Sequence, residues 1–361
     1  MLRWPSRDVA RYTVVLATAP SACSKMLQAL HIALLSRTCS YAPSALEREW
    51  FNGTIAGRIC AVSQSASQIN GVPGWLSYAA ASAGKQPRTT PSINEARSIS
   101  QFQCSDHHGA SNTYIEPLTG FARHPRADMR HWSEQRIPLQ KWRKRKVHNK
   151  AFCVPQEDEA VEVVNIQDTS YIMFENHCNA ANPPGRSLLF DLGCSVYDLS
   201  TLNHTSPPSL TRLMAAYANN CIHPEHVYAW EAQKYDPELW WRTVPVSLRS
   251  RLHFFNHKVP QEPSDDPSSF IALLKEAARP KDFVSVKLDI DNSAIEHSII
   301  KAILEDPSVT RLVDELFFEY HFEFDDVDFG WVETGKGHTV DDALALMRRL
   351  RERGIRAHFW P

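Results

Sequence analysis

Three short apolar runs in the second half of the chain each end on an acid, and turn residues or a helix pattern follow at once. Phe283–Glu296 reads FVSVKLDIDNSAIE, with strand-like alternation that delivers Lys287, Asp289 and Asp291 to its end. Leu188–Gly193 (LLFDLG) ends in Asp191 and a glycine, and Val227–Glu231 (VYAWE) ends in Glu231. Open α/β sheets hold their ligands in the crevice outside the carboxyl ends of the strands. Acids at three strand ends therefore point to a parallel sheet with one shared acidic edge, and to that edge as the site.

The pattern around these runs is regular from about Asp168 onward. Ser170–Phe174 predicts a strand, then Leu188–Leu192 another, and Leu210–Asn219 a helix with Leu210, Leu213, Met214 and Tyr217 on one face. Val227–Glu231 is a strand, and Asp236 followed by Pro237 signals the start of a helix. Strands over Leu252–Asn256, Phe283–Ile290, Glu315–Phe322 and Ile355–Phe359 alternate with helices over Pro267–Ala278, Ser293–Leu304 and Val340–Arg353. The last helix turns Leu344, Met347 and Leu350 inward, and Gly354 stops it. Such alternation predicts an α/β, Rossmann-like, doubly wound and mostly parallel sheet with helices on both faces.

Bulk composition sets the remaining bounds. A net charge of -2 offers no global signature for nucleic acid. No apolar run reaches the roughly 18 residues that span a bilayer. The 8 cysteines lie far apart with no CxxC pair, which argues against a zinc ribbon and predicts mostly free thiols. Residues 1–112 are rich in Ser, Ala and Thr with weak periodicity, and read as a largely disordered extension. Arg3, Arg7, Arg11, Lys25 and Arg37 against Asp8 give its start a transit-peptide-like bias; a plain disordered extension or an upstream start fits equally. Residues 113–361 are the expected folded domain, with 187–361 as its core. The basic run Lys141–Lys150 reads as a solvated loop, a nuclear-localisation segment or an anion-binding patch, and Asn52 and Asn203 sit in glycosylation sequons.

Each candidate site residue has a functional and a bland reading. Gly193, in Asp191-Leu-Gly193-Cys-Ser195, lets the backbone approach a ligand and frees the N–H groups of a following helix; otherwise it is a simple tight turn. Glu231 fits an acid that accepts from both ribose hydroxyls, and Asn256 an adenine contact. Asp289 and Asp291 suit a general base, a cofactor-orienting group or a metal ligand, while Asp291 and Ser293 also suit an N-cap. Lys287 alternates with Asp289 and so is their expected buried partner. Glu319 and His321 alternate in FFEYHFE with Tyr320 facing away, an expensive pair inside an aromatic strand unless partnered.

These residues resemble the FkbM-type class I S-adenosylmethionine-dependent methyltransferases over roughly Ser187–Pro361. FDLGCS at Phe190–Ser195 is similar to the family's first motif, VYAWEA at Val227–Ala232 to its second-strand acid motif, and Lys287-Leu-Asp289-Ile-Asp291 to the first half of its fourth-strand signature. The departures are a single glycine in the first motif, Asn292 in place of a glycine, Glu296 two positions late, and no antiparallel seventh strand after Phe359, for which Ser170–Phe174 is the candidate substitute edge. The resemblance implies S-adenosylmethionine held by Asp191, Gly193, Ser195, Glu231 and Asn256. It also implies O-methylation of a hydroxyl on a small molecule, glycan or lipid, with Asp289, Asp291, Glu319 and His321 as catalytic candidates. No further cofactor is required, although the acids admit a divalent metal.

Two rivals stand beside that reading. Asp289-Ile-Asp291 is also the DxD spelling of a metal-dependent glycosyltransferase. An inactive Rossmann-like interaction module would instead use Trp230, Trp240, Trp241 and Trp331 as a contact surface. The Gly-containing segment His321–His338 is the expected acceptor-side lid.

Overall fold

In the computed structural model the described residues are 38–45, 47–48, 52, 100–106, 109–116, 118, 169, 172–178, 185–197, 208–321, 338 and 340–360. The basic run at 141–150, the sequon at 203, Trp331 and nearly all of the expected lid lie outside them. Arg37–Pro361 forms one compact unit. No described helix is long and apolar enough to cross a membrane.

Among the described residues, nine strands fall into two sheets. β1 (Thr38–Ala42), β2 (Ser100–Asp106) and β3 (Gly109–Ile115) form an antiparallel sheet in that order. The main sheet holds β4 (Ser187–Leu192), β5 (His226–Trp230), β6 (Leu252–Phe255), β7 (Phe283–Leu288), β8 (Glu315–Phe318) and β9 (Arg356–Phe359). Its order is β6-β5-β4-β7-β8-β9, and every pairing is parallel. The chain starts in the middle, winds one way to β6, then returns to β7 and winds the other way. That is the Rossmann order, and its switch point lies between β4 and β7.

The strands form because both faces are apolar, as parallel sheets require. Leu188, Phe190, Leu192, Val284, Val286 and Leu288 join one core with Phe270 and Leu274 of α4 (Phe270–Ala277), Ile299 and Ile303 of α5 (Ser293–Glu305), and Leu344, Met347 and Leu350 of α7 (Val340–Glu352). Leu189, Val227, Ala229 and Phe317 join the other with Leu210, Leu213 and Tyr217 of α1 (Ser209–Asn219) and Trp240 of α2 (Pro237–Thr243). The short helices α3 (Val246–Arg249) and α6 (Pro307–Thr310) complete the links. Asp236 caps α2 by accepting from the Leu239 N–H at 2.9 Å, as its sequence predicts. Gly354 ends α7 at φ +91°, against the Cys39 side chain.

Several expectations need correction. Ile172–Phe174 is not a strand, because its backbone is served by buried side chains in place of a neighbouring strand. The Met173 N–H donates to Glu116 at 3.1 Å and the Glu175 N–H to Glu315 at 3.0 Å. β8 pairs directly with β9, so no antiparallel strand separates them. β8 stops at Phe318 rather than Phe322, because β7 already ends at Leu288 and leaves it no neighbour. Trp230 and Trp240 are buried, so they cannot form the contact surface of the interaction-module reading. The stretch read as an extension supplies β1, β2 and part of β3, whose small polar strands carry little periodicity. Their few core members are Phe102, Cys104 and Ile115.

The expectation of mostly free thiols also fails. Cys39 pairs with Cys104 across β1 and β2, and Cys178 with Cys221 at the end of α1, over separations of 65 and 43 residues. Only the fold brings such distant positions together. Cys194 is the free thiol among the described residues. Loops of that length give each bridge a stabilisation of about 4 kcal/mol in the chain-entropy account. Such bonds persist in oxidising compartments.

A buried ionic network ties the small sheet to the amino end of the main one. His358 Nε2 lies 2.8 Å from Glu315, and its Nδ1 contacts Glu116. Arg351 donates to the Glu116 carbonyl at 2.8 Å and pairs with Glu47 at 3.4 Å. Tyr217 donates to Glu315 at 2.7 Å. Burial opposes the imidazolium of His358, but Glu116 and Glu315 overcome it and hold it above its ordinary value. Burial likewise opposes ionisation of Glu116 and Glu315, and His358 wins, holding both carboxyls below the usual range.

Two predictions follow from this arrangement. Cys221→Ser should cost about 2–5 kcal/mol of unfolding free energy in urea; an unchanged midpoint under oxidising conditions would mean that the bridge contributes nothing. The second concerns pH. The raised His358 contributes stability that is full below about pH 6.5 and is lost as pH rises through its folded value. The lowered glutamates contribute stability that is full above about pH 4.5 and is lost on acidification. His358→Gln should therefore narrow its deficit relative to wild type as pH climbs above about 6.5, and a constant deficit from pH 6 to 9 would contradict this.

Candidate functional site

The carboxyl edge of the main sheet is built around a buried ammonium. Lys287 and Asp191 occupy matched positions on the neighbouring strands β7 and β4, facing α1. Lys287 Nζ donates to the Gly193 carbonyl at 2.7 Å and pairs with Asp289 at 2.9 Å and Asp191 at 3.3 Å. Asp191 also accepts from Ser209 at 3.3 Å. Burial opposes the charge on Lys287, but Asp191 and Asp289 hold it above its ordinary value. Burial raises Asp191, against the pull of Lys287. Asp191 is thus a foundation beneath the turn, not a ligand contact, and Lys287 is the buried partner its alternation with Asp289 predicts.

The turn above this cation is unusually close to β7. Gly193 has φ +90°, and a Cβ there would fall 1.6 Å from the Asp289 carbonyl oxygen. No other residue type fits. The Gly193 and Cys194 N–H groups both reach the Trp230 carbonyl, at 3.0 and 2.9 Å. Ser195 follows at φ 58°; its N–H donates to Glu231 Oε2 at 2.8 Å, and its carbonyl accepts from the Trp240 indole at 3.0 Å. The turn therefore does not lead directly into a helix, contrary to expectation: among the described residues Cys194–Tyr197 is irregular, and the next described helix, α1, starts at Ser209. Burial, then the charges of Asp191 and Glu231, push the Cys194 thiol well above its ordinary value, which leaves it a packing group.

Glu231 stands just past β5 with its carboxylate across the Gly193 turn. Its Oε1 accepts from the Gln233 N–H at 2.7 Å. Asn256, at the end of β6, is spent on the same loop. Its amide donates to the Glu231 carbonyl at 2.9 Å, and its Oδ1 accepts from the Tyr235 N–H at 3.0 Å. Asn256 is therefore a positioning residue for Glu231, in place of the expected adenine contact.

A second group gathers between β7, β8 and α5. Asp291 turns at φ 54°, and Asn292, not Asp291 or Ser293, caps α5 by accepting from the Ile295 N–H at 3.1 Å. Ligand atoms of Asp291, Glu319 and His321 all lie within 4.8 Å of one another, Asp291 exposed and the other two buried. Glu296 is the member that sequence reasoning did not place here. Its Oε1 accepts from the Ile290 N–H at 3.0 Å, and its Oε2 lies 3.6 Å from His321 Nε2. Burial pushes its carboxyl up to about 8; the charges of Asp289 and Asp291 add to this, and the Ile290 bond opposes it. The signal was present: Glu296 shares the inward helix face of Ile299, Ile300 and Ile303.

Thus Asp191, Gly193, Ser195, Glu231 and Asp289 converge on the switch-point turn, while Asp291, Glu319 and His321 converge beside it with Glu296. Scans against protein-family models, curated proteins and solved structures found no match to this chain. Gly193→Ala combines a left-handed backbone with a direct clash, so it should destabilise the protein by at least about 2 kcal/mol. A urea midpoint equal to wild type would show that the two strand ends do not meet this closely.

Proposed function

We propose that this protein is an S-adenosylmethionine-dependent methyltransferase of class I type that methylates a hydroxyl oxygen on a small molecule, glycan or lipid. The observation that carries this reading is the Glu231 carboxylate, held at the end of the second sheet strand and facing the Gly193 turn at the switch point. An acid in this place accepts from the hydroxyls of a ribose. Both its oxygens are already oriented by backbone N–H groups, and each keeps a lone pair.

Charge narrows the choice of nucleoside. Among the described residues of the edge, Asp191, Glu231, Asp289, Asp291 and Glu319 outnumber Lys234, Lys287 and His321, and Lys287 is sealed beneath the turn. A diphosphate would meet repulsion, and the described residues that follow the Gly193 turn, Cys194–Tyr197, present no helix N-terminus to offset it. A sulfonium cation would meet attraction. The glycosyltransferase reading needs Asp289 and Asp291 on one ion, yet Asp289 is committed to Lys287 and lies outside the cluster that holds Asp291.

When bound, the cofactor supplies a methyl group already activated by the sulfonium charge. The chain's own residues then have defined tasks. The Gly193–Ser195 turn, its N–H groups already paired, would give the amino-acid end close approach to the sheet edge, and Glu231 would hold the ribose. Asp289, fixed by Lys287 at the partly exposed mouth, aligns an acceptor hydroxyl and takes its proton.

Calorimetric titration of the full chain with S-adenosylmethionine should give micromolar affinity. Glu231→Ala should weaken it at least about 100-fold, since two hydrogen bonds to a charged group are worth about 1.5–3 kcal/mol each. A folded wild-type protein that gives no heat with S-adenosylmethionine, but does with a nucleoside-diphosphate sugar and Mn2+, would overturn the proposal.

A further inference from the structure

We infer that Asp291, Glu319 and His321, with Glu296 behind them, form a binding site for one divalent first-row transition cation, for which Mn2+ serves as the probe. The site goes beyond the methyl-transfer reading and does not rest on it.

Three separate elements supply the groups. Asp291 comes from the left-handed turn after β7, Glu319 and His321 from the extension of β8, and Glu296 from the inward face of α5. Glu319 Oε2 lies 3.7 Å and Glu296 Oε2 3.6 Å from the same imidazole nitrogen, His321 Nε2. Those spacings exceed hydrogen-bond length. They match the separation of neighbouring donor atoms around one ion, about 3.0–3.7 Å for bonds of about 2.0–2.3 Å.

Glu296 provides the independent observation. Its side chain is fully buried, and its Oε2 has no hydrogen-bond partner among the described residues. A carboxylate oxygen sealed from water without a partner is costly, and a cation beside it removes that cost. The Oε1 bond to the Ile290 N–H fixes the side chain so that Oε2 points at the His321 nitrogen.

The donor set narrows the choice of ion. Carboxylates suit Mg2+, Ca2+ and Mn2+, and imidazole suits Zn2+, Cu2+, Fe2+ and Ni2+, so a mixed set without thiolate favours a first-row transition ion over Mg2+ and Ca2+. Asp291 is exposed, which leaves that side of the ion open to water or to an oxygen of a bound substrate.

The test uses the full-length protein, stripped with a chelator and titrated with MnCl2 while free Mn2+ is read by electron paramagnetic resonance. One Mn2+ per chain with micromolar affinity is expected. Asp291→Asn and Glu319→Gln should each weaken it at least tenfold. The nitrogen-14 coupling of the bound ion should vanish in His321→Gln. Asp291 is exposed, so its variant reports on binding without a folding defect, and circular dichroism checks the others. Glu231→Ala should keep wild-type Mn2+ affinity, which separates this site from the cofactor turn. A folded wild-type chain that takes up no Mn2+, an affinity unmoved by Asp291→Asn and Glu319→Gln, or a bound ion without nitrogen coupling would each overturn the assignment.

Discussion

The buried ammonium of Lys287 is the contact on which the carboxyl edge depends. It joins the two central strands at the one point where the sheet order reverses, by binding Asp191 on β4, Asp289 after β7 and the carbonyl of Gly193 between them. A sealed charge of this kind is tolerable only with close partners, and removing one would leave the rest uncompensated. The close passage of Gly193 over Asp289 follows from it: the cation draws both chain segments to itself, and only a residue without a Cβ lets them meet. The position of Ser195, and through it the carboxylate of Glu231, is inherited from that turn.

The two ends of the sheet treat buried charge in opposite ways. At the amino end, Glu116, Glu315, His358, Arg351 and Arg356 are interlocked, and the carboxylates have several donors each. That end fastens β1–β3 and the segment around Met173 to the main sheet. At the carboxyl end, Glu296 keeps an oxygen with no hydrogen-bond partner among the described residues, and its carboxyl is pushed up by burial. A satisfied network rigidifies a fold, whereas an unsatisfied one stores cost that a ligand can relieve. The satisfied and the unsatisfied buried charge thus lie at opposite ends of the same strands.

How much of this is legible in the sequence depends on whether the signal is local. The six parallel strands and their helices announce themselves through apolar alternation and caps, as Asp236 before α2 and Gly354 after α7 illustrate. The pairing of Lys287 with Asp289 follows from the strand period alone. The small sheet is not legible, because its strands hold few apolar residues and its security comes from the distant Arg351 and from a disulfide between β1 and β2, whose cysteines are 65 residues apart. The roles of Asn256 and of Ile172–Phe174 are set by which buried side chain serves which backbone group. That is a tertiary fact with no periodicity to reveal it.

The DxD spelling shows how a local motif divides in three dimensions. In a continuing strand, Asp289 and Asp291 would project from the same face, two residues apart, and could share one ion. The strand instead ends at Leu288. The Asp289 N–H makes one more bond to the Leu192 carbonyl at 3.1 Å, and the backbone then turns to φ 54° at Asp291. Asp289 is left facing Lys287 and the switch-point turn, while Asp291 swings toward Glu319 and His321. One short sequence therefore feeds two neighbouring groups with different chemistry, one organised by a fixed internal cation and the other a cluster of two carboxylates and an imidazole. An acceptor hydroxyl lying between them would be within the field of both, which gives the β7–α5 connection the central place in any chemistry at this edge.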